Sequence, residues 1–119
     1  MKLIFVYNAD SGLFNGLSDI AHKILSPGTY SCNLCALTHG HFKIKADWVD
    51  FLKDIDTELE FLHRDEFVQQ YHYNNAELPG IFIEENNAVT PWINRETINQ
   101  IQTLDDLKAA IMQRLQQTR

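Results

Sequence analysis

The chain has 119 residues, of which 45% are hydrophobic and 22% are charged, and its formal net charge is −6 at pH 7. This composition excludes disordered and low-complexity classes and predicts one globular domain over residues 1–119. An acidic chain is a poor partner for nucleic acid or an anionic membrane surface, and no apolar run reaches the roughly 20 residues that a membrane helix needs.

The first part of the chain predicts a strand, a helix and a long loop. An unbroken apolar run predicts a buried strand over Lys2–Tyr7. Leucine and isoleucine at helical spacing then predict a helix over residues 13–24, capped by Asp10 or Ser11. No helical or strand periodicity holds from Ser26 to Lys45, which predicts a long loop. Loops of this length in compact domains more often have a function than serve only as connections.

The second part predicts alternating short elements. We expect a helix that starts near Asp47, a strand over 57–62, a helix over 65–71, a hairpin over 81–90 and a final helix after Thr103. An early strand–helix–strand crossover followed by a late hairpin predicts an α/β fold, with a mixed sheet and helices on both faces.

The predicted order resembles the βαβαββα core of the thioredoxin-like superfamily over nearly the whole chain. The most specific local match is Leu78-Pro79-Gly80-Ile81-Phe82-Ile83. In that family a cis proline precedes the third core strand and faces the active site. The resemblance therefore implies that the Leu78–Pro79 bond is cis and that Pro79 helps to bind the substrate.

The position of the cysteines departs from that family. Thioredoxins carry Cys-x-x-Cys directly after the first strand, where this chain has Asn8-Ala9-Asp10-Ser11-Gly12. Its own Cys32-Asn33-Leu34-Cys35 comes later, inside the long loop before the second strand. The segment 30–38 also resembles one found in small bacterial proteins with a similarly displaced Cys-x-x-Cys. Whether the loop carries the thiols back to the usual end of the sheet stays open at this stage.

The Cys-x-x-Cys spacing favours thiol–disulfide chemistry with a protein partner, because one thiolate can attack a disulfide and the second thiol can close the ring. The family resemblance implies that Cys32 attacks and Cys35 resolves. A nearby cation would favour the attacking thiolate. The candidates for that cation are Lys23, His39, His41 and Lys43.

Two other functions stay open. Cys32, Cys35, His39 and His41 could instead supply four ligands to zinc, since His39 and His41 would share one face of an extended segment. Alternatively, the chain could be an interaction module without cysteine chemistry.

Two further groups are candidates for the end of the sheet where the first strand finishes. Asp10 lies just beyond that strand, where open α/β sheets bind ligands, and is therefore a candidate substrate contact. His63, Arg64 and Asp65 follow the second predicted strand and should lie at the same end. The N-terminus does not read as a signal peptide, so we expect a cytoplasmic protein with an unknown oligomeric state.

Overall fold

The structure is a computed structural model that describes residues 1–8, 32–39 and 44–118. The strands of the described part are β1 (Lys2–Tyr7), β2 (Glu58–His63), β3 (Gly80–Glu85) and β4 (Ala88–Ile93). Its helices are α1 (Asn33–Thr38), α2 (Ala46–Lys53), α3 (Arg64–Tyr71), α4 (Arg95–Gln100) and α5 (Leu104–Thr118).

The four strands form one mixed sheet in the order β2-β1-β3-β4. β1 and β2 are parallel, whereas β3 is antiparallel to both β1 and β4. Tyr7 pairs with His63 and Val6 pairs with Gly80. The carboxyl ends of β1 and β2, the start of β3 and the end of β4 therefore lie at one end of the sheet, which we call the Tyr7 end.

The alternation of side chains along β1 divides the core between two faces. Leu3, Phe5 and Tyr7 face a cluster to which α1, α2, α4 and α5 all contribute. Ile4 and Val6 face a second cluster, which contains Phe67 of α3. Every residue of β1 from Leu3 to Tyr7 is buried, because both faces of this central strand are covered.

The prediction of an α/β fold with a mixed sheet and helices on both faces is confirmed. The predicted strand over Lys2–Tyr7 has the observed bounds, and the final helix begins as expected after Thr103, whose hydroxyl accepts the Asp106 N–H at 3.1 Å. The Leu78–Pro79 peptide bond is cis. The helix predicted over 13–24 lies outside the described residues.

Two short helices were not predicted. α1 lies within the long loop predicted from Ser26 to Lys45. α4 directly follows the hairpin. Each has six residues, fewer than two turns, so an apolar stripe cannot be recognised in its sequence. No helix among the described residues is long and apolar enough to cross a membrane.

Candidate dithiol site

The two cysteines lie at the start of α1. Cys32 is the N-cap residue, and its Sγ accepts the Cys35 N–H at 3.3 Å. The two sulfurs lie at disulfide distance, with the Cα atoms 5.3 Å apart. Cys32 is 8% exposed and Cys35 is 5% exposed. The structure therefore places the pair at a helix start, in a segment where the sequence predicted only a loop.

The first turn of α1 is fixed to α4 by Asn33. Both N–H groups of its side-chain amide are used, because Nδ2 donates to the carbonyls of Ile98 at 2.7 Å and Ile101 at 2.9 Å. These carbonyls lie at the end of α4, where the Ile98 carbonyl also accepts the Ile101 N–H at 3.1 Å. Asn33 therefore joins the Cys-x-x-Cys segment to an element more than sixty residues away in sequence.

The last turn of α1 is fixed by Thr38, whose side chain is fully buried. The hydroxyl donates to the Leu34 carbonyl at 2.8 Å and lies 2.9 Å from Nδ1 of His39. A hydroxyl has one proton, so Nδ1 of His39 must carry a hydrogen and donate it to Thr38 Oγ1. This contact selects one tautomer of the neutral His39 ring.

Tyr7 joins α1 to the sheet. Its ring lies edge-on to the His39 ring, with centroids 5.8 Å apart, and 5.9 Å from the His63 ring. Burial raises the pKa of Tyr7 to about 12, against a smaller opposing effect of the Thr38 hydroxyl. The Tyr7 hydroxyl is therefore neutral at physiological pH.

His39 does not supply the cation that the sequence suggested. Burial lowers the pKa of His39, and the positive charges of His63 and Lys45 lower it further, against an opposing effect of the Cys35 carbonyl. His39 is therefore a neutral neighbour of the cysteine pair near pH 7. The other candidate cations, Lys23, His41 and Lys43, lie outside the described residues.

His63 lies at the Tyr7 end, as the sequence predicted for the residues after the second strand. It is the N-cap residue of α3, and its backbone N–H donates to the Glu66 carboxylate at 2.8 Å. Its Nδ1 lies 2.7 Å from the same carboxylate oxygen. The hydrogen bond from the His63 backbone N–H lowers the pKa of Glu66 most, and the hydrogen bond from the His63 ring lowers it further. Arg64 and Asp65 form the first turn of α3.

Pro79 also lies at the Tyr7 end. It is buried and directly precedes Gly80, which pairs with Val6, the neighbour of Tyr7. The end of α1 reaches the same end of the sheet through the contact of His39 with Tyr7. The candidate substrate residue Asp10 lies outside the described residues.

The predicted zinc ligands are only partly described. The Cys32 and Cys35 sulfurs are bonded to each other, Nδ1 of His39 contacts Thr38, and His41 lies outside the described residues. Within residues 1–8, 32–39 and 44–118, no group of three His, Cys, Asp or Glu side chains could hold a metal ion. The zinc site therefore stays a prediction that depends on His41.

Sequence reasoning did not single out Tyr7 or Thr38. Tyr7 reads as the last apolar residue of a strand, and its contacts with two histidines come from distant segments. Thr38 follows Leu34 at a spacing of four residues, which is the spacing for a hydroxyl to bind a helix carbonyl. This spacing indicates a hydroxyl–carbonyl hydrogen bond only within a predicted helix, and the sequence predicted no helix over these residues.

Comparisons with known proteins identify no family. No protein-family model matches this chain, and no similar chain was found among the curated proteins or the solved structures.

Proposed function

We propose that the chain is a thioredoxin-like protein whose Cys32/Cys35 pair exchanges electrons with a disulfide of a partner protein. One observation carries this proposal: the sulfurs lie at disulfide distance at the start of a helix whose far end contacts the end of the central strand. A helix start favours a thiolate, and the two-residue spacing lets the second thiol close the ring.

The topology supports the thioredoxin-like assignment. The described sheet has the order β2-β1-β3-β4 with β1 and β2 parallel and β3 antiparallel to both its neighbours, which is the arrangement expected for a βαβαββα core. Pro79 directly precedes β3 at the Tyr7 end, as the resemblance implies.

In the proposed reaction the reduced protein gives two electrons to the partner. The Cys32 thiolate attacks one partner sulfur, which forms a mixed disulfide and releases the other partner sulfur as a thiolate that takes up a proton. The Cys35 thiol then loses its proton and attacks Cys32, which forms the intramolecular disulfide and releases the second partner thiol. The partner disulfide is reduced and the Cys32/Cys35 dithiol is oxidised.

Two observations support different tasks for the two sulfurs. The Cys35 backbone N–H points at the Cys32 sulfur, and a donor in that position stabilises negative charge on it. Cys35 lies one turn further into the helix and is the less exposed of the two. Both observations support the proposal that Cys32 attacks and Cys35 resolves.

Trapping experiments with matched serine variants test the assignment. The reduced proteins are mixed with a synthetic peptide that contains one intramolecular disulfide, and intact masses are measured after acid quenching. We expect Cys35→Ser to accumulate a mixed disulfide with the peptide, because Cys32 attacks but cannot be resolved. Cys32→Ser should accumulate none, and the wild-type protein should lose two hydrogens while the peptide gains two.

Other outcomes would overturn the proposal. No mixed disulfide in either variant and no oxidation of the wild type would exclude exchange at this pair. A mixed disulfide only in Cys32→Ser would reverse the roles of the sulfurs. A native mass heavier by one metal ion, restored to the apo value by Cys32→Ser, would favour the zinc site instead.

A further inference from the structure

A cavity lies between the end of β4 and the helices α4 and α5, and neither cysteine lines it. Its volume is about 380 Å³, which is within the range of small-ligand sites. Trp92, Ile93 and Ala110 supply its apolar lining. The residues that Asn33 and Tyr7 contact do not line this cavity; they are Ile98, Ile101, His39 and His63.

The polar lining is rich in hydrogen-bond donors. The Asn94 side-chain oxygen already accepts the Thr97 N–H at 2.9 Å, and the Gln117 side-chain oxygen accepts from Arg114 at 3.4 Å. Both amides keep their N–H₂ groups as the available part. The amides of Asn94 and Gln117 therefore present donors to the cavity, a property that suits an anion.

Arg114 is the cationic group of this lining, and no acidic residue lines the cavity among the described residues. Its Nε donates to the Trp92 carbonyl at 3.1 Å, which fixes the plane of the guanidinium. Nη1 contacts Gln117, so several of the five N–H donors remain uncommitted within the described part of the chain.

Arg95 provides the contrast. It lies near the carboxylates of Glu77 at 3.8 Å and Glu96 at 3.3 Å, as expected for an arginine on an acidic protein. Arg114 has no carboxylate within ion-pairing distance in the described residues, although the chain carries a net charge of −6. Within the described part of the chain, no acidic side chain therefore balances its positive charge.

We propose that this cavity binds a small organic carboxylate with an apolar body, held by Arg114. A planar guanidinium pairs with a planar carboxylate through two parallel hydrogen bonds, and one guanidinium balances one negative charge. The amides of Asn94 and Gln117 supply further donors, while Trp92 and Ala110 receive the apolar body. The proposal does not depend on the chemistry of Cys32 and Cys35.

Benzoate is a suitable probe, and benzamide is its neutral counterpart of nearly the same shape. Nitrogen–proton correlation spectra would follow the Arg114 Nε–H and the Trp92 indole N–H during titration with each compound at constant ionic strength. We expect saturable shifts of both signals with benzoate and none with benzamide. Since hydrogen bonds to charged groups contribute about 1.5–3 kcal/mol, Arg114→Gln should weaken binding by about tenfold or more.

Arg95→Gln is the matched control, because it removes an arginine outside the cavity and should bind benzoate with unchanged affinity. The backbone spectrum of Arg114→Gln shows whether that variant is folded, and the wild-type titration is interpretable without it. Equal shifts with benzamide, unchanged affinity in Arg114→Gln, or shifts that never saturate would each overturn the proposal.

Discussion

At the amino end of β1, the Lys2 ammonium lies 3.8, 3.3 and 3.6 Å from the carboxylates of Glu58, Glu60 and Glu84. At the other end of the same strand, Tyr7 lies between two histidine rings. One strand thus begins among charged side chains and ends at a buried tyrosine between two imidazole rings.

The amino end stabilises charge. A hydrogen bond with Tyr71 raises the pKa of Lys2, against the opposing effect of burial, and Glu60 adds to the increase. Burial opposes ionisation of Glu60, but hydrogen bonds from Tyr71, Gln70 and Lys2 outweigh it and lower the pKa of this carboxyl. Each charged group therefore keeps its charge more firmly than it would in water.

Two groups at the Tyr7 end, Tyr7 itself and His39, disfavour charge. Burial raises the pKa of Tyr7 to about 12 and lowers the pKa of His39, so both stay neutral over the physiological range. The difference follows from solvent access and partners: carboxylates surround Lys2, whereas a hydroxyl and rings surround His39.

The largest expected effect is at Thr38. Thr38→Val keeps the shape of the side chain but leaves the half-buried His39 Nδ1–H without its acceptor, so we expect the free energy of unfolding to fall by about 1.5 kcal/mol. Thr90→Val, on an exposed strand position, should change it by less than about 0.5 kcal/mol. Denaturant unfolding measures both, and equal losses in the two variants would show that the Thr38 hydroxyl contributes nothing specific.

A smaller effect is expected at the charged end. Lys2→Met leaves three neighbouring carboxylates without their shared cation, and we expect a loss of about 1 kcal/mol at low ionic strength. Salt screens the remaining repulsion, so the difference from the wild type should narrow as sodium chloride is added. Lys53→Met is the control at an exposed helix position. A difference that is independent of salt would contradict an electrostatic origin.

The smallest effect concerns the pH dependence of Glu60. Its folded pKa is below 4.5, so its contribution to stability is fully present above about pH 4.5 and is lost as the pH falls through the folded value. Glu60→Gln removes this contribution, which we expect to be below about 1 kcal/mol. Chemical unfolding should show the two proteins converging with acidification, whereas the exposed Glu85→Gln control should run parallel to the wild type. Divergence on acidification would contradict the direction of the shift.

The sequence predicted the elements whose signal is local. An unbroken apolar run located β1, because a strand covered on both faces has no polar side. The final helix was recognisable from its cap at Thr103 and its regular apolar spacing. The Cys-x-x-Cys spacing likewise identified the candidate site, since a short ring between two sulfurs depends only on neighbouring residues.

Only the tertiary structure decided where that site lies and what surrounds it. α1 is too short to be stable alone. It is held by the hydrogen bonds that Asn33 donates to the end of α4 and by the contact of His39 with Tyr7. These contacts join residues that are distant in sequence, so no local period encodes them. The neutral state of His39 has the same origin, because burial is a property of the packed molecule and not of the residue type.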